Sequence, residues 1–106
     1  MLNQVVLVGR LVAKPSLSEP NKKISTITLA IPRSFKNTEG EYETDFIECE
    51  LWNTLAESTC EYCNKGDLVG VKGRLESYSV EQNDNIYWKT KVVAEKVTFL
   101  SSKKND

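Results

Sequence analysis

Histidine is absent from the 106-residue sequence, and with it the commonest general base of enzyme sites. Cysteine is scarce. Three residues, an odd number in a chain without a signal sequence, describe reduced thiols rather than a disulfide framework. Long apolar runs are also missing, and nothing approaches the roughly 20 residues that cross a bilayer. Met1-Leu2-Asn3-Gln4 carries no basic residue, and Val5 to Val8 is too short for the core of a signal peptide. A cytoplasmic protein is expected. Excess charge of one sign is lacking too: 14 basic against 15 acidic residues leave a net −1. Nucleic-acid domains are commonly basic, so this total counts against that class. It does not exclude single-strand binding, which needs only a local basic groove and aromatic faces.

The apolar share of 40% and charged share of 27% are those of an ordinary folded domain. The length suits one core and not two. Cys60-x-x-Cys63 has the spacing of a metal or redox pair. Zinc takes about four ligands, and Cys49 is the only other soft one. The pair therefore reads as inert thiols, a residue type usually buried. Neither a metal nor a cofactor is expected.

Hydrophobic periodicity divides the chain into five strands and one helix. Val5 to Val12 reads as a first strand in which Gly9 permits a bend. A polar loop from Lys14 to Lys22 follows. From Ile24 the alternation of Ile27, Leu29 and Ile31 marks a half-buried second strand with Pro32 at its end. Asn37-Thr38-Glu39-Gly40-Glu41 carries turn chemistry and predicts a hairpin. The third strand, Glu43 to Trp52, places Ile47, Cys49 and Leu51 on a core face. Phe46, Glu48, Glu50 and Trp52 fall on the other.

Thr54-Leu55-Ala56-Glu57 fits a capping box with Thr54 as cap. Leu55, Thr59, Tyr62 and Cys63 form the apolar stripe of the helix it opens. Lys65 suits the helix C-terminus electrostatically, and Gly66 suits the residue just beyond it. The fourth strand starts at Asp67. Val69, Val71 and Leu75 face one way; Lys72, Arg74, Glu76, Tyr78 and Val80 face the other. Gln82 to Asn85 turns the chain into a fifth strand from Tyr87 to about Leu100. A single domain over residues 1–100 and a short polar tail over 101–106 are expected. Five strands with one helix between strands 3 and 4 is the order of an all-β OB-fold barrel. The strand 2–3 face and the loops of that barrel form its usual binding surface.

A sequence-tolerant site for single-stranded nucleic acid needs flat aromatic platforms and nearby cations. Phe35 lies between Arg33 and Lys36. Phe46 and Trp52 share the outer face of strand three, and Tyr78 shares a face with Lys72 and Arg74. Small barrels also use aromatics in their cores, so Trp52, beside the helix start, has two open roles: packing there, or stacking. Glu48 and Glu50 oppose phosphate on the same face unless neighbouring cations neutralise them. No carboxylate cluster or nucleophile–base pair stands out, so chemistry is not expected.

Asn3-Gln4-Val5-Val6-Leu7-Val8-Gly9-Arg10-Leu11 resembles the opening strand of bacterial single-stranded-DNA-binding proteins. Thr44-Asp45-Phe46-Ile47-Glu48-Cys49-Glu50-Leu51-Trp52 resembles their third strand. Lys65-Gly66-Asp67-Leu68-Val69, Gly73-Arg74-Leu75 and Thr90-Lys91-Val92-Val93-Ala94 continue the series. The likeness spans about residues 2 to 100. It implies base stacking on Phe35, Phe46 and Trp52. A fourth aromatic position is held by Val80, for which Tyr78 can substitute. Glu48 and Glu76 stand where the family often has basic residues, whereas Lys65 keeps one. The resemblance further implies single-stranded DNA as ligand in replication, recombination and repair. It also implies a homotetramer or dimer built through the first strand, and replication or repair proteins as partners. The family usually continues into an acidic tail, and here Lys103-Lys104-Asn105-Asp106 closes the sequence. A second reading is a tail-less interaction module similar to the primosomal replication protein B family.

Overall fold

The computed structural model describes residues 1–103. Five strands, β1 (Val5–Leu11), β2 (Ile24–Lys36), β3 (Tyr42–Trp52), β4 (Leu68–Gln82) and β5 (Asn85–Ser101), and one helix, α1 (Asn53–Tyr62), follow in the expected order. The strands close into a barrel in the order β1-β2-β3-β5-β4. All neighbours are antiparallel except β3 and β5, which run parallel with Cys49 opposite Val92 and Glu50 opposite Val93. Closure removes the exposed sheet edges that an open sheet of this size would present. Among the described residues no helix is long and apolar enough to cross a membrane.

The period-two pattern explains the core. Ile27 and Leu29 of β2, Cys49 and Leu51 of β3, and Val69 and Val71 of β4 all point inward and are buried, with Leu11, Val92 and Ala94 completing the layer. Ala56, Thr59 and Cys63 seat α1 on one end of it. Burial pushes the Cys49 thiol up to about 11, so it stays protonated and unreactive. Burial also raises the Cys63 thiol, with Asp67 adding to the effect. Cys60 donates a weak bond to Ser25 Oγ at 3.6 Å.

Several details depart from the expectation. The helix does not begin on a Thr54 capping box. It starts at Asn53, and Trp52 before it makes no side-chain cap bond. Asn53 N–H donates to the Lys23 carbonyl at 2.8 Å, which pins the junction and holds Asn53 at φ 54°, a left-handed conformation that asparagine tolerates. Glu57 instead faces Lys23 at 3.5 Å. The C-terminal carbonyls are capped by Lys14, which reaches Cys60 O at 3.0 Å and Cys63 O at 2.8 Å. Lys65 and Gly66 belong to a separate turn closed by Asp67 N–H on Asn64 O at 3.1 Å, where Gly66 takes φ 88°. Tyr62, assigned to the buried stripe, is exposed.

β2 does not stop at Pro32. It continues to Lys36 with an irregular register between Pro32 and Lys36, as a residue without an N–H requires. Two hairpins leave the barrel. Asn37 Oδ1 ties the first by accepting from the N–H groups of Glu39 and Glu41, both at 2.9 Å. The second turns through Asn83 and Asp84, both at positive φ, with Gln82 paired to Asn85. β5 runs to Ser101, one residue past the expected boundary. Residues 104–106 of the expected polar tail lie outside the described residues.

Candidate nucleic-acid interface

The outer face of β2 and β3 follows from strand parity. Phe46 stands beside Ala30, Glu48 beside Thr28, Glu50 beside Thr26 and Trp52 beside Ile24. The four partners are small or half-exposed, so the aromatics rise above a low floor. Phe46 is 65% exposed and Trp52 43% exposed. Trp52 is therefore not consumed by packing against the helix. Its indole Nε1–H donates to Glu50 Oε1 at 2.6 Å, which fixes the plane of the ring.

Beyond Gly73 the β4–β5 hairpin loses its contact with β1, whose register ends at Val5 opposite Gly73. This accounts for Leu75. It was expected in the core with Val69 and Val71, yet it is 45% exposed, because no strand covers it. It lines an open hollow of about 440 Å³ together with Phe46, Glu48, Tyr78 and Lys91. A second hollow of about 450 Å³ lies beside it, lined by Trp52, Leu55, Arg74, Glu76 and Glu50. The structure thus brings Phe46, Tyr78, Trp52 and Arg74 to one surface made from β3, β4 and β5.

Other expected site residues are placed differently. Phe35 is exposed near the tip of the β2–β3 hairpin, and Lys36 beside it stands over the Tyr42 ring at 5.7 Å. Arg33 is clamped: Nη1 reaches Glu43 at 2.6 Å and Nη2 reaches Asp45 at 2.8 Å, while Nε also donates to Asp45. The Arg33 hydrogen bonds hold the Asp45 carboxyl below its ordinary range. Lys72 faces Val6 of β1 and Lys96 of β5, on the outer face of that sheet, and lines neither hollow. It shares the parity of Arg74, but the first half of this 15-residue strand is held between β1 and β5, and strand twist turns the second half away. Lys65, in the Asn64–Asp67 turn, lines neither hollow as well. Val80 lies on the hairpin opposite Tyr87.

Of the four carboxylates lining the hollows, Glu48, Glu50, Glu76 and Glu95, Glu50 and Glu76 are answered by cations. Lys91 Nζ lies 3.3 Å from both oxygens of Glu50 and 3.8 Å from Glu76. Arg74 Nη1 meets Glu76 at 2.7 Å, and this bond, with Lys91 assisting, depresses the Glu76 carboxyl. Two cations and two carboxylates therefore cancel along the ridge between the hollows. Glu48 makes no ion pair among the described residues. Lys91, 5.6 Å from the Tyr78 ring, is the site residue that sequence reasoning missed. The available signal was two carboxylates on an aromatic face that needed a cation. Its source depended on the parallel β3–β5 register, which strand periodicity does not reveal.

A five-stranded closed barrel with an α-helix between β3 and β4, and an open aromatic face on β3, defines an OB-fold binding module. The pattern of the Single-strand binding protein family matches residues 2–100, and the chain belongs to that family. It is 47% identical to "Single-stranded DNA-binding protein B" of Bacillus subtilis (strain 168) over 107 residues, covering 97% of this chain and 94% of that one. It is 45% identical to "Single-stranded DNA-binding protein 3" of Listeria innocua, covering 99% of this chain and 68% of that protein. Among solved structures, "Plasmodium falciparum SSB complex with ssDNA" aligns with a TM-score of 0.77 at 24% identity, over 95% of this chain and 96% of that one. This likeness supports the barrel.

Proposed function

We propose that the protein binds single-stranded DNA with little regard for sequence and protects it during replication, recombination and repair, without chemistry of its own. The observation that carries the reading is the pair of solvent-facing aromatics on one face of β3, Phe46 and Trp52, each in an open hollow, with the ridge between the hollows neutralised by ion pairs. Base faces stack on such platforms whatever the base, each contributing about 1–3 kcal/mol. Tyr78 adds a platform from β4, Phe35 one from the hairpin tip, and Arg74 a cation. Arg33, Lys36, Lys65 and Lys72 complete the proposed contacts, Arg33 only after DNA phosphate displaces its carboxylates.

The binding domain comprises residues 1–100, with 101–106 as a polar tail, and the protein works in the cytoplasm. A homotetramer, or a dimer, forms through β1. Exposed Val6 and Val8 on its outer face support this, because a lone barrel of this size buries little surface. Replication or repair proteins are further partners. The test is a titration with oligo-dT of a Trp88→Phe protein, in which Trp52 is the sole indole. Quenching that saturates with oligo-dT is expected. Binding without any change in Trp52 emission would remove that residue from the interface.

A further inference from the structure

We propose that Lys91 receives a DNA phosphate on the ridge between the two hollows, and that Glu50 and Glu76 hold it in place there until DNA arrives. The proposal rests on the reading of this face as a single-strand site. A strand that stacks one base in the Phe46–Tyr78 hollow and another in the Trp52 hollow must carry its backbone over the ridge between them. Lys91 lines the first hollow and bonds to Glu50, which lines the second.

Bond lengths decide which cation is free to change partner. Charge-assisted N–H···O bonds are strong at about 2.7–2.9 Å. Arg74 and Arg33 reach that range, with contacts of 2.7 Å to Glu76 and 2.6 Å to Glu43. Lys91 does not: its contacts are 3.3 Å to Glu50 and 3.8 Å to Glu76. An ammonium has three donors that reorient freely on a flexible stem, whereas a guanidinium fork is fixed. Lys91 can therefore turn to a phosphate at little cost, while the two arginines must first break short bonds. Its side chain keeps 32% of its surface open and its ammonium lies against the Tyr78 ring, where a stacked base would put a phosphate close by. Glu76 is held chiefly by Arg74 on its own strand at 2.7 Å, and Lys91 of the neighbouring strand stands 3.8 Å from it.

The experiment compares wild type, Glu50→Gln, and Glu50→Gln/Lys91→Met for affinity to oligo-dT across a salt series. With Glu50 neutral in both variants, any effect of Lys91 cannot be the exposure of Glu50. One phosphate contact on a single strand contributes about 0.7 to the log–log salt slope, hence about eightfold in affinity at about 0.05 M salt relative to 1 M. The double variant should bind about eightfold more weakly than Glu50→Gln and lose that slope increment. Equal affinity and slope for the two variants would overturn the proposal and make Lys91 a neutralising residue only. Acetylation of wild-type lysines read by mass spectrometry needs no variant to fold: oligo-dT should slow modification of Lys91 several-fold, and unchanged reactivity would also overturn the assignment. Failure of wild type to bind oligo-dT at all would sink the functional reading instead.

Discussion

Glu48→Gln should tighten DNA binding at physiological salt by about two- to fourfold. Glu48 lines the Phe46 hollow and makes no ion pair among the described residues, so its charge acts on the ligand unanswered. A phosphate about 8 Å away is repelled by about 0.5 kcal/mol in bulk water, and by about twice that beside low-dielectric protein. Screening over one Debye length, about 8 Å, leaves about a third. Two phosphates flank a stacked base, which brings the penalty to about 0.4–0.8 kcal/mol. At about 0.01 M salt the Debye length reaches about 30 Å, and the free-energy gain from the substitution should roughly double. Fluorescence anisotropy of labelled oligo-dT at the two salt concentrations reads both quantities. The substitution preserves shape on an exposed strand position, so the thermal midpoint serves as the control for folding. Equal affinities of the two proteins at both salt concentrations would show that DNA does not cross the Phe46 face.

Trp52→Ala should stay folded and weaken oligo-dT binding by about five- to 150-fold, the loss of one stacking platform; anisotropy titration checks it. Gly73→Ala should lower the thermal midpoint markedly, because a Cβ there meets the carbonyl of Val93 on the adjoining β5 backbone, at the register shift between Lys72 and Gly73, where neither strand can give way. Stability should fall as pH rises above 9. The unfolded Cys49 thiol ionises near its ordinary value of 9.0, while the folded one holds its proton to about 11, so the unfolded state alone is stabilised by proton release across that window. Urea midpoints at pH 8 and pH 10 measure the difference, and a Cys49→Ala protein should lose this component of the pH dependence.

The barrel was legible because its signals are local. Alternation in Thr26–Ile31 and Phe46–Trp52 gave the two faces of β2 and β3, and the Asn37–Glu41 and Gln82–Asn85 turns gave the hairpins. What escaped depends on contacts between distant segments. Thr54 reads as a cap until the Lys23 carbonyl claims Asn53. Lys65 reads as the helix-terminal cation until Lys14, from a loop before β2, takes the same carbonyls. Leu75 keeps the parity of Val71 but loses its cover where β1 ends. At the interface, the aromatic positions could be read from parity, since an outward Phe46 and Trp52 need no partner to be noticed. Charges could not, because pairing of Glu50 with Lys91, 41 residues apart, is set by the parallel β3–β5 register. Arg33, read as a phosphate ligand from its place near Phe35, is paired with Glu43 and Asp45 across the hairpin, a pairing that its position in the sequence does not announce.

The central claim is that an aromatic face, rather than a strong positive field, selects unpaired bases. Its most direct measurement is competition between oligo-dT and a duplex of equal length for the wild-type protein at physiological salt. A single strand offers base faces to Phe46, Tyr78 and Trp52, while a duplex hides them and offers phosphate alone to a surface whose ridge is neutral. Oligo-dT should displace the duplex completely, and duplex should not displace oligo-dT even in large excess. Comparable affinity for the two, or loss of both with rising salt in parallel, would contradict the stacking interface.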